Sequence, residues 1–344
     1  MFKNINCKNL PSLRRNIVYQ FLYELLIVFI PLFTIPYVSR VLGAENIGLF
    51  SYTYAVANYF VLFANLGIKN YGSRTIAMVR NNKEELNRNF SEILSIHIIF
   101  SIIVIFVYLV LLFFFVEDNL VIFLIQSIYV FAAVFDINWF FFGIEKFKLT
   151  VGRNTLVKIL SVFLVLVFVK TQTDLWIYAL ILALSVFVGQ SVVWFALKQY
   201  VSWRRPSWAN MKQHIRPLFV LFLPILALSL YKYMDKIMLG SISSNVQVGF
   251  YENAEKIINV PMSLIMAFGV VLMPRIANMV TSKDKGEVFK LIDMSMEAVM
   301  LLAIAISFGL AGISFVLAPI FFGYEFEECG ILIMGLAVTV PFMA

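Results

Sequence analysis

The sequence predicts an all-α polytopic membrane protein, and three observations carry that expectation. Of the 344 residues, 61% are hydrophobic and 14% charged, whereas soluble domains run near half apolar and a quarter charged. The apolar residues gather in continuous segments of about 20, the length a spanning helix needs, and not in the alternating segments of about 10 that build a barrel. The basic residues fall in alternate connecting segments, as the positive-inside bias requires. The net charge of +7 therefore orients the chain in a membrane and does not point to nucleic acid.

Nine complete spans follow in order: 16–38, 47–68, 92–116, 120–142, 153–169, 174–197, 218–239, 250–273 and 292–318. A tenth opens near Gly330 and has only fifteen residues before Ala344, short of a full crossing. The segment before the first span carries Lys3, Lys8, Arg14 and Arg15. The run after it is too long for a signal peptide, contains Glu24, and lacks a small-residue cleavage site. Further basic groups sit at Lys69–Arg88, Lys146–Arg153, Lys198–Arg216 and Arg275–Lys290, while the opposite connections hold Arg40 and Lys170 among Glu45, Glu117, Asp118, Asp174 and Glu325. The N-terminus is thus expected to be cytoplasmic. Cys7 and Cys329 then fall on opposite sides, which excludes a disulfide within the chain. With two widely spaced histidines they form no metal site, and no cofactor is expected.

A weak internal repeat runs through the chain. Phe29-Ile30-Pro31 in the first span matches Phe222-Leu223-Pro224 in the seventh. Each is followed by a short outer loop, then by Gly48-Leu49-Phe50 or Gly249-Phe250-Tyr251. The basic exits Arg74-Thr75-Ile76-Ala77 and Pro274-Arg275-Ile276-Ala277 match in turn. Both copies run in the same direction. The repeat therefore divides the chain into a six-helix lobe at 1–197, a basic cytoplasmic linker at 198–217, and an incomplete lobe at 218–344. Parallel repeats place a binding cavity between the halves. Pro31, Pro36, Pro224 and Pro261 fall within spans and are expected to bend them.

Charges inside spans are costly and mark candidate sites. Lys232, Asp235 and Lys236 share one helical face in the outer part of span 7. Glu252, Glu255 and Lys256 have the same spacing at the start of span 8. These six charges either pair with one another or line a cavity mouth where lysines attract an anion. Glu24 and Asp136 are lone acids, able to take a proton or a cation, or to make structural hydrogen bonds. His97 in span 3 is expected to be a packed neutral residue, Glu92 to lie near the membrane interface, and His214 to sit in a loop. There is no GxxxxGK[ST], GxSxG or HExxH pattern, so the sequence gives no support for nucleotide hydrolysis or for a hydrolase. No connecting segment on the outer side is long enough to hold a catalytic domain.

The stretch Pro36-Tyr37-Val38-Ser39-Arg40-Val41-Leu42-Gly43, followed by Ile47-Gly48-Leu49-Phe50-Ser51, resembles the Wzx-type polysaccharide flippases. So does Asp235-Lys236-Ile237-Met238-Leu239-Gly240 with Val248-Gly249-Phe250-Tyr251. These flippases form the polysaccharide-biosynthesis branch of the multidrug/oligosaccharidyl-lipid/polysaccharide (MOP) exporter superfamily. The resemblance implies a MATE-like bundle of two six-helix lobes in the bacterial inner (plasma) membrane. The implied substrate is an undecaprenyl-pyrophosphate-linked oligosaccharide, an O-antigen, lipopolysaccharide or capsule repeat unit, flipped by alternating access. On that reading Lys232, Lys236, Lys256 and Arg40 attract the anionic headgroup. Asp235, Glu252 and Glu255 hold those bases or gate the mouth, and Glu24 and Asp136 couple transport to a cation. Membrane lipids, a polysaccharide polymerase and a chain-length regulator are the expected partners. The alternatives are a cation-coupled multidrug exporter of the same fold, an oligosaccharide polymerase, and a non-transporting scaffold of a glycan-assembly complex.

Overall fold

In the computed structural model the backbone is described for residues 10–281 and 285–343, with side chains for most residues from 31 onward. The described chain is helical: α1 Leu10–Asn65, α2 Ile68–Val79, α3 Lys83–Phe115, α4 Leu120–Val134, α5 Asn138–Gly143, α6 Phe147–Phe168 and α7 Leu175–Leu197 are followed by α8 Trp208–Ile242, α9 Asn245–Thr281, α10 Lys285–Phe322, α11 Cys329–Ala337 and α12 Val340–Met343. Among the described residues, seven helical segments are long and apolar enough to cross a membrane. Their apolar side chains face outward: Phe106, Phe113, Phe114 and Phe115 on α3, Phe163 and Phe168 on α6, and Phe308 and Val316 on α10 are all exposed. A water-soluble fold hides such residues, whereas a helix in lipid displays them while satisfying its own backbone. The chain is a multi-pass membrane protein.

Three local features differ from the sequence expectation. The outer loop expected after the first span is replaced by a kink inside α1. Gly43 there has φ 77° and ψ 171°, a backbone open to glycine and strained for other residues. The basic segment expected as a loop at 69–91 begins as α2, an amphipathic helix that buries Ile68, Gly72, Thr75 and Ile76. The expected fourth span, 120–142, breaks at 135–137 between α4 and α5. No proline or glycine causes that break; Asp136 Oδ1 accepts from the Asn138 backbone N–H at 3.0 Å, a local Asx bond that competes with the helix.

Packing divides the chain into two compact units, one of Met1–Ile27 with Phe50–Ile242 and one of Val28–Leu49 with Ser243–Ala344. The first is built around Phe90, Trp139, Phe140, Phe141, Leu218 and Phe222. Phe90 stacks on Trp139 with ring centroids 5.6 Å apart. A Cβ on Gly72 would come within 2.6 Å of the Trp139 ring, and one on Gly143 within 2.6 Å of Ile76, so α2 and α5 meet through reciprocal glycines. The segment 198–217, expected as a linker, is anchored in this unit. Val201 and Met211 are buried, the Ser202 N–H donates to Asn87 Oδ1 at 3.0 Å, and the Arg204 N–H donates to Ser91 Oγ at 2.9 Å. The second unit packs Ile258, Met262 and Ile265 of α9 on Ala303 of α10, Ala337 of α11 and Val340 of α12.

Candidate functional site

In the second unit, the Gly48 and Gly249 segments of the stretches that carry the resemblance cross each other at glycine. A Cβ on Gly48 would strike the Asn245 carbonyl, and one on Gly249 would strike the Ala44 carbonyl. The relation is reciprocal: each glycine meets the residue four before the other. That is the register of the internal repeat, which equates Gly48 with Gly249 and hence Ala44 with Asn245. Close backbone approach is what a glycine pair supplies in a membrane helix interface. Beside the crossing, the Asn253 side-chain amide donates to Ser39 Oγ at 2.9 Å, with both residues buried. The Cys329 thiol donates to the Phe250 carbonyl at 3.2 Å, a weak bond that occupies a buried backbone acceptor.

Arg40 lies one turn before this crossing and is exposed. Its Nη2 donates to the Ile320 carbonyl at 2.6 Å. Four residues on, the Ala44 N–H donates to Glu325 Oε1 at 2.9 Å. Arg40 and Ala44 thus bracket the end of α10, where Gly323 turns the chain at φ 106°. On α9, Lys256 Nζ pairs with Glu252 Oε1 at 3.1 Å across one turn, both partly buried. Glu255 is half-buried and also engaged. Three of the expected site residues, Arg40, Glu252 and Lys256, therefore have partners within their own unit.

Lys232, Asp235 and Lys236 belong to the other unit, on α8. This helix lies along α1: the Tyr59 O–H donates to the Ser229 carbonyl at 3.4 Å, Tyr233 meets the Tyr59 ring edge-on at 6.0 Å, and Gly240 lets the Tyr52 ring approach. That packing turns Lys232 and Asp235 outward, both exposed, with Lys236 half-buried. Lys232 Nζ lies 5.6 Å from the Tyr233 ring centroid, within cation–π range. Asp235 and Lys236 are both engaged with neighbours. The side chain of Glu24 lies outside the described residues.

Asp136 sits in the break between α4 and α5. Its Oδ1 accepts from the Asn138 backbone and, at 2.7 Å, from the Asn138 side-chain amide. That amide also donates to Gln190 Oε1 at 2.8 Å. Arg153 closes the network, donating to Asn138 Oδ1 at 3.1 Å and to the Gly189 carbonyl at 2.8 Å. His97 is fully buried, and both of its ring nitrogens lack a hydrogen-bond partner.

A second polar cluster was not foreseen from the sequence. His214 lies in helix α8, buried, and not in a loop; its loop expectation fails because 208–217 continues directly into the apolar part of α8. His214 Nε2 lies 3.0 Å from Glu92 Oε2, and Nδ1 lies 2.6 Å from the Tyr71 hydroxyl. The Asn210 amide donates to Glu92 Oε1 at 3.1 Å. The Glu92 and His214 side chains are 1% and 4% exposed, so Glu92 is a buried acid and not an interfacial one. The available signal was local: Asn210 and His214 stand one helical turn apart, on the face that meets Glu92 of α3.

Comparison with known proteins bears on the whole chain. A family model described as polysaccharide biosynthesis protein matches residues 13–280. A protein of Escherichia coli (strain K12) named "Putative O-antigen transporter" is 27% identical over 97% of this chain and 81% of its own. A Shigella dysenteriae protein of the same name is 24% identical over 92% of this chain and 80% of its own. No solved structure matches.

Proposed function

The chain belongs to the polysaccharide biosynthesis protein family, and from that premise we propose that it is a polysaccharide transporter of the Wzx type. It moves undecaprenyl-pyrophosphate-linked oligosaccharide repeat units, the precursors of O-antigen, capsule or a related surface glycan, across the bacterial plasma membrane. The observation that carries the reading is the likeness along 97% of the chain to a protein named as an O-antigen transporter. The outward apolar helices support it, since a transporter of amphiphilic lipids works within the bilayer.

Movement is by alternating access of two lobes, 1–197 and 218–344, joined at 198–217. Lys232, Lys236, Lys256 and Arg40 draw the pyrophosphate toward the outer mouth. Asp235, Glu252 and Glu255 hold these bases between turnovers; the Glu252–Lys256 pair at 3.1 Å supports that part. Glu24 and Asp136 are the coupling candidates. The acceptor oxygen of Asp136 is already bound twice by Asn138. A polysaccharide polymerase and a chain-length regulator receive the product.

The test is reconstitution in liposomes holding the undecaprenyl-linked oligosaccharide, with outer-leaflet sugar read by an impermeant lectin. Wild type should speed transfer over protein-free liposomes. Lys236→Glu should slow it by roughly ten- to a hundredfold, since loss of one charge-assisted contact amounts to roughly 1.5–3 kcal/mol. Equal rates with and without protein would remove the transport reading; equal rates for wild type and Lys236→Glu would remove Lys236 from the site.

A further inference from the structure

A cavity of about 610 Å³ opens beside the Tyr71–His214 contact, between α2, α3 and α8 of the first unit. Its size lies within the range of small-ligand sites. Tyr71 and His214 are among the residues that line it. Behind them Glu92 holds His214 in place, and His214 holds the phenol. A buried carboxylate with one imidazole and one amide as partners is an expensive feature to keep for packing alone.

Two guanidinium groups, Arg74 from α2 and Arg88 from α3, line the same cavity. Both residues are exposed, and among the described residues neither makes a hydrogen bond or ion pair. By contrast, Arg80, Arg153 and Arg204 are engaged by Glu145, Asn138 and Glu84 in turn. The other walls are apolar, with Met78, Val220 and Leu221. Pro217 adds an irregularity. It removes the helical hydrogen bond to the Gln213 carbonyl, and both residues line the cavity.

We propose that this cavity binds the phosphate of a lipid headgroup, held between Arg74 and Arg88, with the hydrocarbon chain along Met78, Val220 and Leu221. Guanidinium forks match phosphate oxygens in geometry as well as charge. The apolar wall leading from two cations is what a phospholipid or prenyl phosphate needs and what a free anion does not. The positive-inside bias places this end of the unit at the cytoplasmic face. The site is separate from the outer lysines, and its occupancy is measurable on purified protein without any transport.

The test is native mass spectrometry of the purified full chain in detergent. The probes are phosphatidylglycerol, diacylglycerol with the same acyl chains but no phosphate, and inorganic pyrophosphate as competitor. Phosphatidylglycerol should bind wild type at least tenfold more tightly than it binds Arg74→Ala/Arg88→Ala, and Arg74→Lys/Arg88→Lys should fall between them. Arg153→Ala, whose guanidinium lies outside the cavity, should bind as wild type. Displacement of the lipid by pyrophosphate would support phosphate as the recognised group whatever its source. Failure of pyrophosphate to displace it would support a headgroup anchored by its chains. Equal binding by wild type and the double alanine variant, or equal binding of the two lipids, would overturn the proposal. Thermal unfolding without lipid separates loss of the site from loss of the fold.

Discussion

The Asp136–Asn138–Gln190–Arg153 network and the Glu92–His214–Tyr71 relay lie in the same packing unit and use the same kinds of groups. They differ in what remains unmatched. In the first, the Arg153 guanidinium is shared among Asn138, Asn154 and the Gly189 carbonyl, and the Asn138 amide serves both Asp136 and Gln190. The bonds of this network stay inside the protein, and they join α5, α6 and α7 across the broken fourth span. In the second, the buried acid and imidazole are matched, but two arginines beside them face an open cavity with no protein partner among the described residues. A charge cluster with its partners present holds a fold; a cluster with surplus donors at an open cavity holds a ligand.

The comparison can be broken in descending order of effect. His214→Ala should cost the most, about 3 kcal/mol, because it leaves Glu92 buried with only Asn210. Thermal unfolding in detergent reads this, and replacing Glu92 by leucine in the same chain should recover part of the loss. A His214→Ala protein as stable as wild type would mean that the Glu92–His214 contact adds nothing to the fold. Arg153→Ala should cost less, about 1–2 kcal/mol, since Asn138, Asn154 and the Gly189 carbonyl are neutral and Asn138 keeps its bonds to Asp136 and Gln190. Its lipid binding should not change. Arg74→Ala/Arg88→Ala should leave the unfolding temperature where it is while weakening phosphate binding about tenfold. If Arg153→Ala lowered lipid binding as much as the arginine pair does, the distinction between the two networks would fail.

The fold class was legible because composition and segment length are one-dimensional signals that a bilayer enforces on every span. Gly48 and Gly249, which the internal repeat equates, each approach the residue four before the other. The Gly43 kink was read as a loop because turn residues announce a change of direction without saying how much chain it takes. The break at 135–137 was missed since its cause is one side chain, Asp136, bonding two residues ahead; no proline or glycine marks it. His214 was misplaced because its partners are 122 and 143 residues away in sequence. Hydropathy alone cannot separate a basic loop from the polar first turns of a long helix. The outer charges were legible as residues but not as an arrangement. Lys256 pairs within its own helix, and Arg40 reaches a carbonyl 280 residues away.

The claim that matters most is that the chain carries lipid-linked saccharide across the membrane. The direct measurement is the pool of undecaprenyl-linked repeat units in a strain lacking the gene. Lipid-linked units should accumulate with their sugar facing the cytoplasm, surface glycan should fall, and the wild-type chain supplied in trans should reverse both changes. An unchanged pool together with unchanged surface glycan would contradict the account.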